Sequence, residues 1–277
     1  MRIVDAHTHL LPERLGRAIR GYFTQAIPPE SFPYEPDPAS ARAALVAAGV
    51  ARCWSLSYVR RPGSAGALNR WMAETWGNDA VVEPAGTVHP GDEVAQVVDE
   101  ALGLGLRLFK LHCAVGDFSL DDERLAPFWA RVSDRGIPVV VHLGHSPMGP
   151  TEPDELGILE AVAHRWPEAR IVLAHLAFPA VPEALAVLRR HRSLHGDLTP
   201  VLFHPIPLRP GDLDGLTDRI LFGSDLPSLA IPLADLVSRV RELGLSAAEE
   251  TAVFSGNADR LVPPRRQSAP EYSGIAR

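Results

Sequence analysis

Residues 3–9 read Ile-Val-Asp-Ala-His-Thr-His, an apolar run that ends in two histidines one residue apart. Side chains two apart on a strand share a face, so His7 and His9 can aim two imidazoles at one point. Three later apolar runs also end in ligand-type residues: Ile-Pro-Val-Val-Val-His142, Arg-Ile-Val-Leu-Ala-His175 and Arg-Ile-Leu-Phe-Gly-Ser-Asp225. Neutral imidazoles and a carboxylate are the donors Zn²⁺ accepts, with room left for water. One His-X-His is weak evidence. Four strand-like runs, each with a donor at its C-terminal end, point to a single metal site at the mouth of a parallel β structure.

The elements that must carry these residues alternate along the whole chain. Strands are expected at about 3–8, 51–58, 81–88, 106–112, 137–143, 170–175, 195–199 and 219–224. They are rich in Val, Ile and Leu with little alternation, as suits strands buried on both faces. Helices are expected at 39–48, 92–102, 121–135, 155–166, 181–192 and 232–243, bounded by Gly and Pro. Such β/α units predict a (β/α)8 TIM barrel spanning residues 1–262 as one domain, followed by a loosely held polar tail at 263–277. An open doubly wound sheet is the alternative. Segments 12–37, 143–154 and 200–216 exceed the minimal repeat. They follow strands one, five and seven, on the face where barrel active sites are built.

Composition narrows the setting. The 277 residues are 46% hydrophobic, enough for a core without disulfides, and the two cysteines, Cys53 and Cys113, fall in or beside apolar runs. A net charge of -7 without long basic stretches disfavours nucleic acid or a membrane surface as a partner. No apolar run approaches a membrane span, and strand one begins at once, so a cytoplasmic protein is expected. A small-molecule substrate is the expected partner; a homodimer is allowed. All but one of the 27 basic residues are arginine, and the exception is Lys110. Where charge alone matters this chain uses Arg, so position 110 hints at a need for an amine.

The segments Asp5-Ala-His7-Thr-His9-Leu, Ile137-Pro-Val-Val-Val-His142-Leu-Gly, Ile171-Val-Leu-Ala-His175-Leu, Leu221-Phe-Gly-Ser-Asp225 and Gly256-Asn-Ala-Asp-Arg-Leu261 resemble the amidohydrolase superfamily. The branch they resemble is the amidohydrolase-related one that includes aminocarboxymuconate semialdehyde decarboxylase. Ala177 departs from the pattern, which usually has Gly there. The resemblance implies that His7, His9, His142 and Asp225 bind a divalent metal, most simply one Zn²⁺. It implies catalytic roles for Asp225 and His175 in moving protons or stabilising charge. In binuclear members a carboxylated lysine at the end of strand four bridges two metals, so Lys110 with His175 could serve a second ion; the branch favours one.

Other residues have two readings each. His112 faces the same way as Lys110 and can contact substrate or support the metal site. Tyr58 and Arg60 follow strand two, where an Arg can clamp a carboxylate or stand in solvent as a loop charge. His89 is read as structural, and His145, His164, His191, His195 and His204 as structural or surface residues. No phosphate loop and no Gly-x-Ser-x-Gly elbow appears. The leading expectation is a metal-dependent hydrolase of a C–N or C–O bond (amide, lactone or related ester), using metal-activated water. The alternative is a nonoxidative decarboxylase or hydratase of an unsaturated or aromatic acid on the same site.

Overall fold

The computed structural model describes residues 1–25, 27–146, 154–200 and 206–265. Its parallel strands are β1 Ile3–Thr8, β2 Val50–Ser55, β3 Val82–Pro84, β4 Phe109–His112, β5 Val139–His142, β6 Ile171–Leu173, β7 Leu194–Asp197 and β8 Ile220–Leu221. β1 to β3 pair in chain order, as do β4 to β8. Two parallel bridges join these sets: Gly86 with Phe109, and Thr8 with Leu226. Backbone bonds from Lys110 to Gly86 and from Asp225 to His7 extend the seams. The sheet therefore closes into a (β/α)8 barrel, and the open-sheet alternative falls away.

The strands bury both faces. Outside, Leu45, Met72, Val98, Phe128, Leu159 and Leu188 from the helices pack against them. Inside, Val4, Ala6, Trp54, Leu56, Ala85, Leu108, Val140, Val172 and Leu221 fill the barrel, and Ala258, Leu261 and Val262 plug its floor. Strand periodicity then sorts the interior by height. Along β4 the sequence runs from Leu108 through Lys110 to His112, and along β5 from Val140 to His142. The apolar member comes first, so the floor is greasy and the mouth polar.

The strands are shorter than the apolar runs suggested, because their last residues bend into the mouth. Two longer helices escaped the sequence reading, as did the short ones Cys113–Gly116, Ala247–Thr251 and Asn257–Leu261. Glu13–Phe23 lies in the first long loop, where two glycines dilute a stripe of which Leu15 and Ile19 pack on the core. Ala65–Trp76 buries Ala65, Leu68, Met72 and Trp76, a clear helical spacing. The expected loose tail is corrected at its start: Pro263 and Arg265 are tied to Arg107, Glu83 and Gly105 on the barrel floor. Its remainder, 266–277, lies outside the described residues, as do 147–153 and 201–205 of the long loops, including His204. Among the described residues no helix is long and apolar enough to cross a membrane. Both cysteines are buried and free, as expected.

Candidate metal centre and active site

His7, His9 and Asp225 converge: one donor atom from each lies within 4.8 Å of the others. Their hydrogen bonds fix which ring nitrogen is available. His7 Nδ1 donates to Asp197 Oδ2 at 2.8 Å, and His9 Nδ1 donates to the Leu56 carbonyl at 2.7 Å. Each Nε2 is thereby left as the lone-pair nitrogen. Both Nε2 atoms point toward Asp225 Oδ1, at 3.9 Å from His7 and 2.8 Å from His9. Burial, then the Lys110 charge, holds the His7 imidazole neutral by lowering its pKa. Burial pushes the Asp225 carboxyl up, but the surrounding His9, His7 and Lys110 outweigh it and keep the group below its ordinary range.

Close approach of β1 and β8 makes this possible. A Cβ at position 223 would collide with Thr199 Oγ1 and stand 2.8 Å from His7 Cβ, so only glycine fits between the His7 strand and Asp225. Asp225 itself has φ 59°, in the left-handed region that a non-glycine residue enters only under constraint.

A second group adjoins the first. His142 Nε2 donates to the His145 carbonyl at 3.0 Å, so its Nδ1 is the acceptor for His175 Nε2 at 3.2 Å. That leaves His175 Nδ1 as a buried lone pair without a partner. Burial lowers the His175 pKa to about 3, so the ring is neutral. His142 stays outside the three-residue cluster, with both nitrogens engaged. Its ring stacks on His112 at 3.7 Å and 13°, and Tyr58 abuts both His112, at 5.0 Å, and His9, at 5.4 Å. His112 also accepts from Val115 N at 3.4 Å, capping the turn that follows β4. Tyr58, His112 and His142 thus form a wall of rings. Arg60 is exposed on the loop after β2, away from this wall.

Lys110 is fully buried and its Nζ has no hydrogen-bond partner. Burial lowers its pKa to about 8, against the opposing pull of Asp197 and Asp225. The sequence reading missed Asp197. This fully buried carboxylate ends β7, orients His7 through Oδ2 and accepts from His175 N through Oδ1 at 2.7 Å. Burial raises its pKa, but the hydrogen bonds from His7 and from His175 N win and hold it below its ordinary range. The signal was a carboxylate closing an apolar strand, at the end of Leu-His-Gly-Asp197. Asp5 lies two residues before His7 on β1. Its Oδ1 accepts from His7 N and Ser224 N, stitching β1 to β8, and burial raises its pKa to about 7.

The structural reading of His89 holds: Nε2 donates to Gly116 O and Nδ1 accepts from Gly91 N. His145 supports His142 through its carbonyl. His164 is exposed, and His191 pairs with Glu160 at 3.0 Å.

The amidohydrolase sequence profile matches residues 4–263, nearly the whole chain. The chain belongs to the amidohydrolase family. No curated protein matches this amidohydrolase in sequence. Among solved structures it is similar to an uncharacterised TIM-barrel protein from Bordetella bronchiseptica, at 23% identity and TM-score 0.71, covering 94% of this chain and 98% of that one. It is similar to a 5-carboxyvanillate decarboxylase from Novosphingobium aromaticivorans, complexed with manganese and 4-hydroxy-3-methoxy-5-nitrobenzoic acid, at 14% identity and TM-score 0.69, covering 94% and 95%. It is also similar to an amidohydrolase from Burkholderia multivorans with bound zinc, at 19% identity and TM-score 0.67, covering 94% and 99%. These likenesses bear on the fold, and the barrel of this amidohydrolase is theirs.

The donor set fits a divalent ion. Two lone-pair nitrogens and a carboxylate oxygen face one another at spacings that bonds of about 2.0–2.2 Å can bridge. Each imidazole has an acceptor behind it, the arrangement that orients metal-ligating histidines.

Proposed function

We propose that this amidohydrolase is a metal-dependent lyase that removes CO₂ from an aromatic or unsaturated carboxylic acid. The observation that carries the reading is the company the His7–His9–Asp225 cluster keeps: a buried ammonium without a partner on one side and a wall of planar rings on another. The cluster suits a divalent ion, the rings suit a flat conjugated substrate, and Lys110 offers positive charge where Arg60 stands apart in solvent. The likeness to a decarboxylase complexed with manganese and a substituted benzoic acid supports this reading over hydrolysis.

His7, His9 and Asp225 would hold the ion. His142 would join them only by giving up its bond to His145 or to His175. A bound divalent ion supplies Lewis acidity, toward a substrate oxygen or toward water. The chain's own groups do the rest. Asp197 keeps the His7 ring in its tautomer. Tyr58, His112 and His142 orient a ring by stacking. Decarboxylation needs a proton delivered to the carbon that bears the carboxylate; the C–C bond then breaks, CO₂ leaves, and the bonding pair restores the conjugated system. Asp225, or His175 through its unpartnered Nδ1, would carry that proton. Zn²⁺ and Mn²⁺ both accept this donor set.

The test is product analysis on metal-loaded protein with a panel of hydroxybenzoic and unsaturated dicarboxylic acids, run beside lactones and amides. The reading expects CO₂ release from at least one acid, abolished in Asp225→Asn. Turnover of lactones or amides, with acid formed and no CO₂ from any member, would replace it with the hydrolase reading.

A further inference from the structure

Two arginine-lined clefts open toward the floor of the barrel, and they differ in how their charge is met. The larger, of about 700 Å³, is lined in part by Arg52, Arg107 and Arg265. Glu83 and Asp259 neutralise all three: Arg52 lies 2.9 Å from Asp259, Arg265 lies 2.9 Å from Glu83, and Arg107 bonds Glu83 more closely still. The smaller, of about 440 Å³, is lined by Arg170, Arg192, Arg260 and His195 among others. None of these arginines has a carboxylate within 4 Å among the described residues, although Glu168 lines the same cleft.

The fold builds this second cleft deliberately from distant positions. In the β6–β7 pairing Ile171 stands beside Leu194, so Arg170 and Arg192 flank neighbouring strand starts. The helix Asn257–Leu261 brings Arg260 across from them. Arg260 donates to the Asp218 carbonyl at 2.8 Å and to the Asn257 side-chain oxygen, and Asn257 is itself held by the Thr217 and Ile220 carbonyls. Behind them Arg219 donates to the carbonyls of Leu188, His191 and Leu194. These acceptors are neutral. They hold Arg260 and Arg219 in place; Arg260 has no carboxylate partner among the described residues, and Arg219 has only Asp218 at 3.9 Å. In a chain with 34 acidic residues and a net charge of -7, the three exposed arginines of the cleft, Arg170, Arg192 and Arg260, form a local concentration of positive charge.

We propose that this cleft binds a small polyanion, a compound bearing phosphoryl groups or several carboxylates, on the barrel face opposite the candidate metal centre. The volume suits a small molecule. Guanidinium groups lining one cleft match the planar, two-pronged recognition such anions favour, and Arg260 is already held in place. His195 adds a further contact at the strand start, its Nδ1 turned to the Ser193 carbonyl at 3.2 Å.

The test is isothermal titration of the purified protein with inorganic pyrophosphate and, separately, with citrate, at constant low ionic strength, followed by NMR of the histidine ring protons. Saturable binding that shifts the His195 signals is expected. Tighter binding of pyrophosphate assigns a phosphoryl ligand, and tighter binding of citrate a carboxylate one; either supports the site. Arg170→Gln/Arg192→Gln should weaken binding about tenfold or more, by loss of charge-assisted hydrogen bonds. Arg192→Gln alone, which leaves Arg170 and Arg260 in the cleft, should weaken it less, and the distant Arg14→Gln not at all. No saturable binding of either anion, or equal affinity in the double variant, would overturn the proposal.

Discussion

The mouth of the barrel and the Glu83 network on its floor are both built from buried charge, yet they are finished differently. On the floor, Glu83 gathers Arg52, Arg107 and Arg265, and Arg52 also reaches Asp259 and the Val262 carbonyl. At the mouth, Lys110 Nζ, His175 Nδ1, Thr199 Oγ1 and Asp5 Oδ2 are buried without partners, whereas among Glu83, Arg52, Arg107 and Arg265 on the floor Arg265 Nε alone is. The backbone follows the same division. His175, Leu176, Ala177 and Asp225 all have positive φ, between 41° and 59°. Such non-glycine residues cost on the order of 1–3 kcal/mol each. The floor is arranged to stay folded. The mouth holds unmet donors and strain, which a ligand can relieve and a stable core has no use for.

Variants at the two ends should therefore fail in different ways. The largest effect is expected at Asp225→Asn, with turnover falling by about 10²–10⁴-fold while thermal stability stays near wild type. Near-normal turnover on an acid the wild type decarboxylates would remove Asp225 from the chemistry. Asp197→Asn should come next. Loss of the acceptor behind His7 should reduce metal affinity or rate by about 10–100-fold, read by metal titration. On the floor, Arg52→Met should lower stability by roughly 1–3 kcal/mol in urea melts, because it removes the bonds to Asp259 and the Val262 carbonyl while Glu83 keeps Arg107 and Arg265. Its kcat should stay unchanged, and a kcat loss with no stability loss would erase the distinction between the two ends.

Two smaller effects sharpen the comparison. Ala177→Gly should stabilise the fold by about 0.5–1 kcal/mol, because glycine adopts the left-handed backbone freely. That is also the physical sense of the glycine expected there from the sequence resemblance. His195 provides a pH signature at the floor. Burial lowers its pKa to about 4 from an ordinary value of 6.5. Its neutral form is favoured in the folded state, so its contribution is complete above pH 6.5 and lost as pH falls toward 4. His195→Gln should flatten stability across that window, measured by urea melts at stepped pH.

The fold was legible because buried parallel strands leave long apolar runs whose last residue must lie at the mouth. The same logic exposed His7, His9 and Asp225. It could not show Asp197, since a single carboxylate after glycine reads equally as the start of a turn. Nor could it show that His142 turns to His145 and His175, because ring orientation is decided by the bend of the loop after β5 and by a histidine 33 residues on. Arg170, Arg192 and Arg260 are scattered in sequence, and only strand register and the last helix unite them. Arg60 looked like a clamp by its position after β2, but the loop carries it into solvent.

If His7, His9 and Asp225 form a metal centre, elemental analysis of the purified wild type beside His7→Ala/His9→Ala, with folding checked by circular dichroism, shows it most directly. About one divalent ion per chain is expected in the wild type and almost none in the folded double variant. Equal metal content in the two proteins would contradict it.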